Sequence, residues 1–227
     1  LNNCLTRARR LLPLSCLLCG AEGAQEPFCE PCRAELPWLP RERCRVCALP
    51  LANGSACGAC LDRSPRFTAV DAAFAYRFPV NALIAALKYG SRLVLARALG
   101  EQLAGAITRE VDVIVPMPLA PARLAERGFN QALEIARVVA RRTGVPLLPD
   151  ACRKVVNTPP QAALPWGERG RNVRRAFVCD AEFKGRRIAV VDDVLTTGAT
   201  LNELARVLRR AGATEVTGWI VARTLPN

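Results

Sequence analysis

The stretch Ile188-Ala189-Val190-Val191-Asp192-Asp193-Val194-Leu195-Thr196-Thr197-Gly198-Ala199-Thr200 decides the fold. An apolar, β-rich run ends in two adjacent carboxylates. Hydroxyl residues and a glycine follow, then a helix expected over 200–211 with Gly212 as its stop. A buried strand feeding a Gly/Thr turn and a helix belongs to a mostly parallel sheet. Thr196, Thr197, Gly198, Ala199 and Thr200 turn backbone N–H groups and hydroxyls toward one spot, where the helix N-terminus adds partial positive charge. A phosphate monoester fits that spot. Asp192 and Asp193 cannot bind phosphate directly, but they can accept hydrogen bonds from a vicinal diol such as a ribose 2′,3′ pair. Taken together, the residues describe a sugar 5-phosphate lying across a strand, turn and helix. An ordinary helix capped by Asp and Thr after a strand end is the plainer alternative for the same residues.

Upstream, short β-rich runs alternate with apolar helical stretches, the pattern of an α/β domain. Strands are expected over 69–78, 112–115, 145–148, 176–179, 187–191 and 216–222. Helices are expected over 81–87, 93–108 and 132–142. The Pro-rich polar segment 157–171 reads as a long loop. Lys88 falls in a short loop between two helices, where it can meet an anion or be merely an exposed helix-end lysine. Arg127 and Asn130 flank Gly128 after a strand end, a usual place for ligand contacts and equally for loop packing. Arg169, Arg171, Arg174 and Arg175 sit in the long loop. They suit a lid over a bound anion, a solvated charge run, or contact with nucleic acid.

Before residue 60 the sequence changes character. Nine of the 11 cysteines lie in the first 60 residues, Cys4 and the four pairs Cys16-x-x-Cys19, Cys29-x-x-Cys32, Cys44-x-x-Cys47 and Cys57-x-x-Cys60. The second two pairs repeat the first two at a constant offset of 28 residues, which marks an internal repeat. Each CxxC places two thiolates on one side of a tetrahedral ion, and two pairs complete a site. With few large apolar residues, this segment needs metal to fold. Two structural Zn²⁺ ions are expected, bound within each repeat or interleaved between them. A disulfide framework, redox pairs and Fe–S ligation are the competing uses of such thiols. The linker Asp62-Arg63-Ser64-Pro65-Arg66 sets the expected domains at 1–64, a double zinc ribbon, and 65–227, the α/β domain. Cys4, Cys152 and Cys179 fall outside the repeat.

Composition narrows the chemistry. The 227 residues contain no histidine, which removes Ser-His-Asp and Cys-His catalysis and makes the metal sites all-thiolate. At 51% hydrophobic and 23% charged, the chain is globular. Its formal charge of +12 rests on 29 Arg and only 3 Lys, which favours an anionic partner, although base composition of the genome gives the same bias. Residues 1–64 hold eight Arg against six acids, so most of the excess, +10, belongs to 65–227. No run of 18 apolar residues occurs, so no transmembrane segment is expected. Arg7, Arg9 and Arg10 before Leu11-Leu12-Pro13-Leu14 resemble a signal segment only faintly, and a cytoplasmic location is expected. Leu1 in place of Met points to an alternative start codon or a trimmed end.

The stretch Val190 to Thr200 resembles the PRPP-binding motif of type I phosphoribosyltransferases, PRPP being 5-phosphoribosyl 1-pyrophosphate. Joined to the cysteine repeat, it resembles the ComF family (ComFC, GntX-like), competence-associated proteins with an N-terminal double zinc ribbon. Leu87-Lys88-Tyr89-Gly90 is similar to the pyrophosphate-contacting loop of that fold. Arg127-Gly128-Phe129-Asn130-Gln131 follows Val115-Pro116-Met117-Pro118. Thr158-Pro159-Pro160-Gln161 opens a stretch through Arg169, Asn172 and Arg174 where the family places a mobile catalytic loop.

The resemblance implies the fold, an α/β domain whose mostly parallel sheet is flanked by helices, preceded by a small zinc-ribbon module. It implies PRPP binding by Asp192, Asp193, Thr196, Thr197, Gly198, Ala199, Thr200, Lys88, Tyr89, Arg127 and Asn130, with Mg²⁺ carried by the ligand. Catalytic roles would fall to Asp192, Asp193, Lys88 and Arg169. Phosphoribosyl transfer to an unidentified acceptor, in DNA uptake or nucleotide metabolism, is the implied activity. A non-catalytic PRPP or nucleotide sensor and a single-stranded DNA-handling competence factor, working with competence helicase machinery, are the alternatives.

Overall fold

The computed structural model describes residues 15–23, 26–155 and 176–226. Contacts divide the chain into two units, Leu1–Pro37 and Trp38–Asn227. The composition shift near residue 64 therefore lies inside the larger unit, which contains the second cysteine repeat.

The first unit holds Cys16, Cys19, Cys29 and Cys32, and the short helix α1 (Glu30–Ala34), which starts within the second CxxC with Cys29 as its N-cap. In the larger unit, α2 (Gly58–Asp62) occupies the equivalent place. The backbone obeys the 28-residue period bond for bond. Cys16 N donates to Ala21 O at 2.9 Å and Cys44 N to Leu49 O at 2.7 Å. Leu17 N donates to Pro27 O and Arg45 N to Ser55 O, both at 2.9 Å. Gly20 N and Ala48 N donate back to Cys16 O and Cys44 O, also at 2.9 Å.

The α/β body is a four-stranded sheet of β1 (Ala69–Ala75), β2 (Val113–Pro116), β5 (Arg187–Leu195) and β6 (Glu215–Arg223). Its order is β1-β6-β5-β2, and each pairing is parallel. The strands read as continuous apolar runs because helices cover both faces. The helices are α3 (Val80–Gly90), α4 (Val94–Ala106), α5 (Pro121–Arg127), α6 (Gln131–Thr143) and α7 (Ala199–Arg210). A small antiparallel pair, β3 (Cys152–Lys154) with β4 (Phe177–Cys179), flanks the stretch containing the Pro-rich segment.

Asn130 starts α6 by accepting from Ala132 N at 3.0 Å, and Gly144 stops it in the left-handed region. Gly100 of α4 allows α6 to approach closely. A Cβ there would stand 2.8 Å from Val138 Cβ. Edge strand β1 is covered by residues just before the second repeat. Leu39 N donates to Ala73 O and Arg43 Nη1 to Ala72 O, both at 2.9 Å, while Trp38 lies against Phe74 with ring centroids 4.5 Å apart.

Most expected elements appear, with shifted ends. The strand expected over 145–148 is reduced to one bridge, Ile114 to Leu147. Lys88 is not in a loop. It sits in the last turn of α3, which runs on to Gly90 and closes at Ser91 with φ +50°. Helix α5 and strand β3 were not expected.

Candidate functional site

A parallel sheet brings all strand carboxyl ends to one rim. At this rim β5 ends in Asp192, Asp193, Val194 and Leu195, and the chain bends through Thr196 and Thr197 into Gly198, the N-cap of α7. Gly198 has φ +80°, which an L side chain rarely adopts, and the Phe67 ring lies behind it. Thr197 Oγ1 accepts from Ala199 N at 3.3 Å, and Asn202 N bonds Gly198 O at 2.8 Å. Thr196, Thr197, Gly198, Ala199 and Thr200 thus form a turn at a helix N-terminus, beside two carboxylates. Such a turn can hold an anion.

Asp193 is buried, and Lys88 Nζ forms an ion pair with its Oδ2. The expected cation and carboxylate therefore meet directly. Burial opposes the Lys88 charge, but the Asp193 carboxylate outweighs it and raises the lysine above its ordinary value. Asp192 is pushed well above the usual carboxylate range, first by burial and then by the adjacent Asp193 charge. Asp192 Oδ1 also accepts the Asp193 backbone N–H at 2.9 Å. Burial and the neighbouring charge both favour the protonated form of Asp192.

The remaining expected residues are distributed differently. Arg127 lies over the Tyr89 ring, 5.6 Å from its centroid, and donates to Gln131 Oε1. Tyr89 is exposed. Both ends of the Asn130 amide serve the fold, since Oδ1 caps α6 and Nδ2 donates to Met117 O at 3.1 Å. Arg169 and the whole of 156–175 lie outside the described residues.

Two residues escaped the sequence reading. Lys154, at the end of β3, is shifted down by burial, against the pull of the Asp192 charge, and its Nζ lies 5.8 Å from the Phe177 ring centroid. Arg223, at the end of β6, is a buried cation directed at the turn. A lysine just before the Pro-rich segment and an arginine inside an otherwise apolar strand were the only signals available.

The eight repeat cysteines form two clusters, Cys16-Cys19-Cys29-Cys32 and Cys44-Cys47-Cys57-Cys60, with the sulfurs of each cluster within 4.8 Å of one another. The sulfurs therefore converge within each repeat and not between repeats. Cys29 N donates to Cys16 Sγ at 3.4 Å and Cys57 N to Cys44 Sγ at 3.3 Å, bonds that suit thiolates. Burial works against the Cys16 thiolate, yet backbone N–H groups from Cys19, Cys29 and Leu18 bring it down to about 6. Cys44 comes down to about 7 by the same balance. Neighbouring thiols, Cys29 first, push Cys32 up to about 12. Four converging sulfurs per cluster fit a closed structural Zn²⁺ site that leaves no open position for substrate.

Two family models match the chain, a double zinc ribbon domain over residues 8–61 and a phosphoribosyl transferase domain over residues 97–223. Competence protein F of Haemophilus influenzae is 31% identical over 92% of this chain and 90% of its own length. The DNA utilization protein YhgH of Salmonella typhimurium is 33% identical over 80% of this chain and 84% of its own. Competence protein ComFC of Bacillus subtilis is 25% identical over 93% of this chain and 95% of its own. Among the described residues no helix is long and apolar enough to cross a membrane. A parallel sheet with a Gly/Thr turn at a helix N-terminus, two four-cysteine clusters and these near full-length relatives together make the chain a member of the ComF/YhgH family, a double zinc ribbon followed by a phosphoribosyltransferase-like domain.

Proposed function

We propose that the protein binds PRPP and transfers its phosphoribosyl group to an acceptor. One observation carries this reading. The Asp192–Asp193 pair, with Lys88 on Asp193, stands immediately before a turn that opens a helix. In this reading the 5′-phosphate lies in the turn of residues 196–200, and the ribose hydroxyls donate to Asp192 and Asp193. Lys88 faces the pyrophosphate and stabilises it as it departs with the electron pair of the C1–O bond. Arg127 and Tyr89 flank the same ligand, and Arg169 belongs to the lid. Positive charge developing on the sugar ring is favoured by the nearby carboxylates.

Mg²⁺ would come with PRPP, bound largely by the ligand's own oxygens, and would supply positive charge against the pyrophosphate. Asp192 and Asp193 are the oxygen donors that fit its ribose side. The acceptor attacks C1 either already nucleophilic or with its proton passed to Asp192, whose affinity for a proton burial raises. The two Zn²⁺ ions are structural.

The names of the relatives support a role in DNA uptake or DNA utilization, and in this reading the protein acts in the cytoplasm. They also favour a second reading, in which the domain senses PRPP or nucleotides without turnover, or handles single-stranded DNA beside a competence helicase. The basic excess of residues 65–227 supports that reading.

Calorimetry with PRPP and Mg²⁺ tests binding, and pyrophosphate release across bases, nucleotides and oligonucleotides tests transfer. Binding without release with any acceptor selects the sensor. No binding refutes both. If single-stranded DNA is the ligand, its affinity should fall by roughly a decade or more between 50 and 200 mM salt.

A further inference from the structure

Arg223 ends a central strand of a parallel sheet and is only 6% exposed. Among the described residues no carboxylate pairs with it, and it donates to four backbone carbonyls, with the Cys47 thiol also beside it. Its Nε donates to Cys47 O at 2.9 Å. Its Nη1 donates to Leu195 O at 3.0 Å, to Thr224 O at 2.8 Å and to Thr196 O. A single guanidinium thus spans from a cysteine of the second cluster to the first residue of the anion-binding turn.

Two further facts make this span more than ordinary packing. A buried cation needs a countercharge. Four thiolates around one Zn²⁺ carry net negative charge, and Cys47 brings that charge to Arg223. The turn after Cys47 is also fixed to the α/β body. At the equivalent position in the first repeat stands Gly20, with φ +76°. The second repeat has Ala48, fully buried within the main apolar core, with φ +58°. A non-glycine residue in that region is strained and persists where its surroundings hold it. The second knuckle is therefore held in one geometry by a buried methyl on one side and by Arg223 on the other.

We propose that Arg223 is a positioning residue linking the two sites: metal retention at Cys44, Cys47, Cys57 and Cys60 and ligand affinity at the 196–200 turn depend on each other. The proposal that the ligand is PRPP rests on the reading above, but the link itself does not. Linkage is reciprocal, so each site should report on the other.

The test uses the full zinc-loaded chain. Hydrogen exchange by mass spectrometry follows the amides of 195–200 while Cys57→Ser/Cys60→Ser empties the second cluster. Cys29→Ser/Cys32→Ser, emptying the first, is the reference. Exchange at 195–200 should rise about tenfold on emptying the second cluster, with strand amides 188–191 unchanged. Unchanged exchange at 195–200, or a rise shared by 188–191, overturns the link. In Arg223→Gln exchange should already be fast with zinc bound, and Arg223→Lys should restore part of the protection. Should Arg223→Gln not fold, the cysteine comparison decides alone.

In a second arm, a chelator draws zinc from the native chain with and without PRPP and Mg²⁺. PRPP should slow release from the second cluster about tenfold. Equal slowing at both clusters, or none while calorimetry shows PRPP bound, also overturns the link. If calorimetry shows no PRPP binding, the PRPP reading falls and the exchange arm still decides the link.

Discussion

Lys88, in the last turn of α3, closes an ion pair on the buried carboxylate of Asp193. The cation expected to meet pyrophosphate is thereby held by a residue expected to meet ribose, and Asp192 stands beside the pair. The site is pre-neutralised: a ligand must offer Lys88 a better partner than Asp193.

Removing the lysine leaves a buried carboxylate without its partner. Lys88→Ala should cost about 2–4 kcal/mol, at the low side of the buried-pair range because Lys88 is a fifth exposed. Lys88→Ala with Asp193→Asn should regain most of that loss. Urea denaturation of the two variants measures the difference, and equal losses would refute the pairing.

Asp192 gives a pH test. Its pKa is raised in the folded protein, so ionising it costs stability. That stability is present below the ordinary carboxylate value and is lost as pH rises toward the shifted one. Asp192→Asn removes the cost. Its melting temperature should exceed that of the native chain by a few degrees at neutral pH, with the gap closing in acid. A gap independent of pH would count against the raised pKa.

The same substitution should weaken PRPP. A hydrogen bond to a charged group contributes about 1.5–3 kcal/mol, so Asp192→Asn should reduce affinity about 10- to 100-fold. Asp192→Asn with Asp193→Asn should abolish measurable binding. Calorimetry with Mg²⁺ present measures both, and an unchanged affinity would remove the carboxylates from the site.

Metal content should follow the two clusters independently. The native chain should carry about two zinc ions, and Cys29→Ser or Cys57→Ser about one each. Elemental analysis after gel filtration decides the matter. Loss of both ions from either single variant would mean that the clusters do not bind separately.

Gly100→Ala tests the contact between α4 and α6. The added methyl would meet Val138 Cβ at 2.8 Å and Ile135 O at 3.2 Å. A loss of about 1–3 kcal/mol is expected in urea denaturation. Gly105→Ala, with nothing within 4 Å of its Cβ, is the control and should not destabilise.

Local signals carried most of the fold. The 187–195 strand, its carboxylates and the following turn were legible because apolar run, polar turn and helix stop follow one another directly. The cysteine period was legible because ligation is local in sequence. Helix α5 was overlooked although Pro121 at its start and Gly128 at its end mark it, because its sequence shows no apolar face. Strand β3 is three residues long and exists through its partner β4, which no local pattern reveals. The Lys88–Asp193 pair and the Arg223 span join positions 105 and 176 residues apart at most, so only the folded chain displays them. The packing boundary after Pro37 was hidden for the same reason: Arg43, Ala48 and Arg223 bind the second repeat to the sheet through tertiary contacts.

Strand order has a consequence for synthesis. Among the described residues, β6 is the one named strand paired with β1, and it separates β1 from β5. Residues 69–75 must therefore wait for residues 217–223 before they can pair. A growing chain can assemble its first cysteine cluster early, from neighbours in sequence. The sheet, the anion-binding turn's arginine and the second cluster's anchor all arrive together with one late strand. A ribosome that stops before residue 215 would release a protein with both sets of cysteines and no completed site.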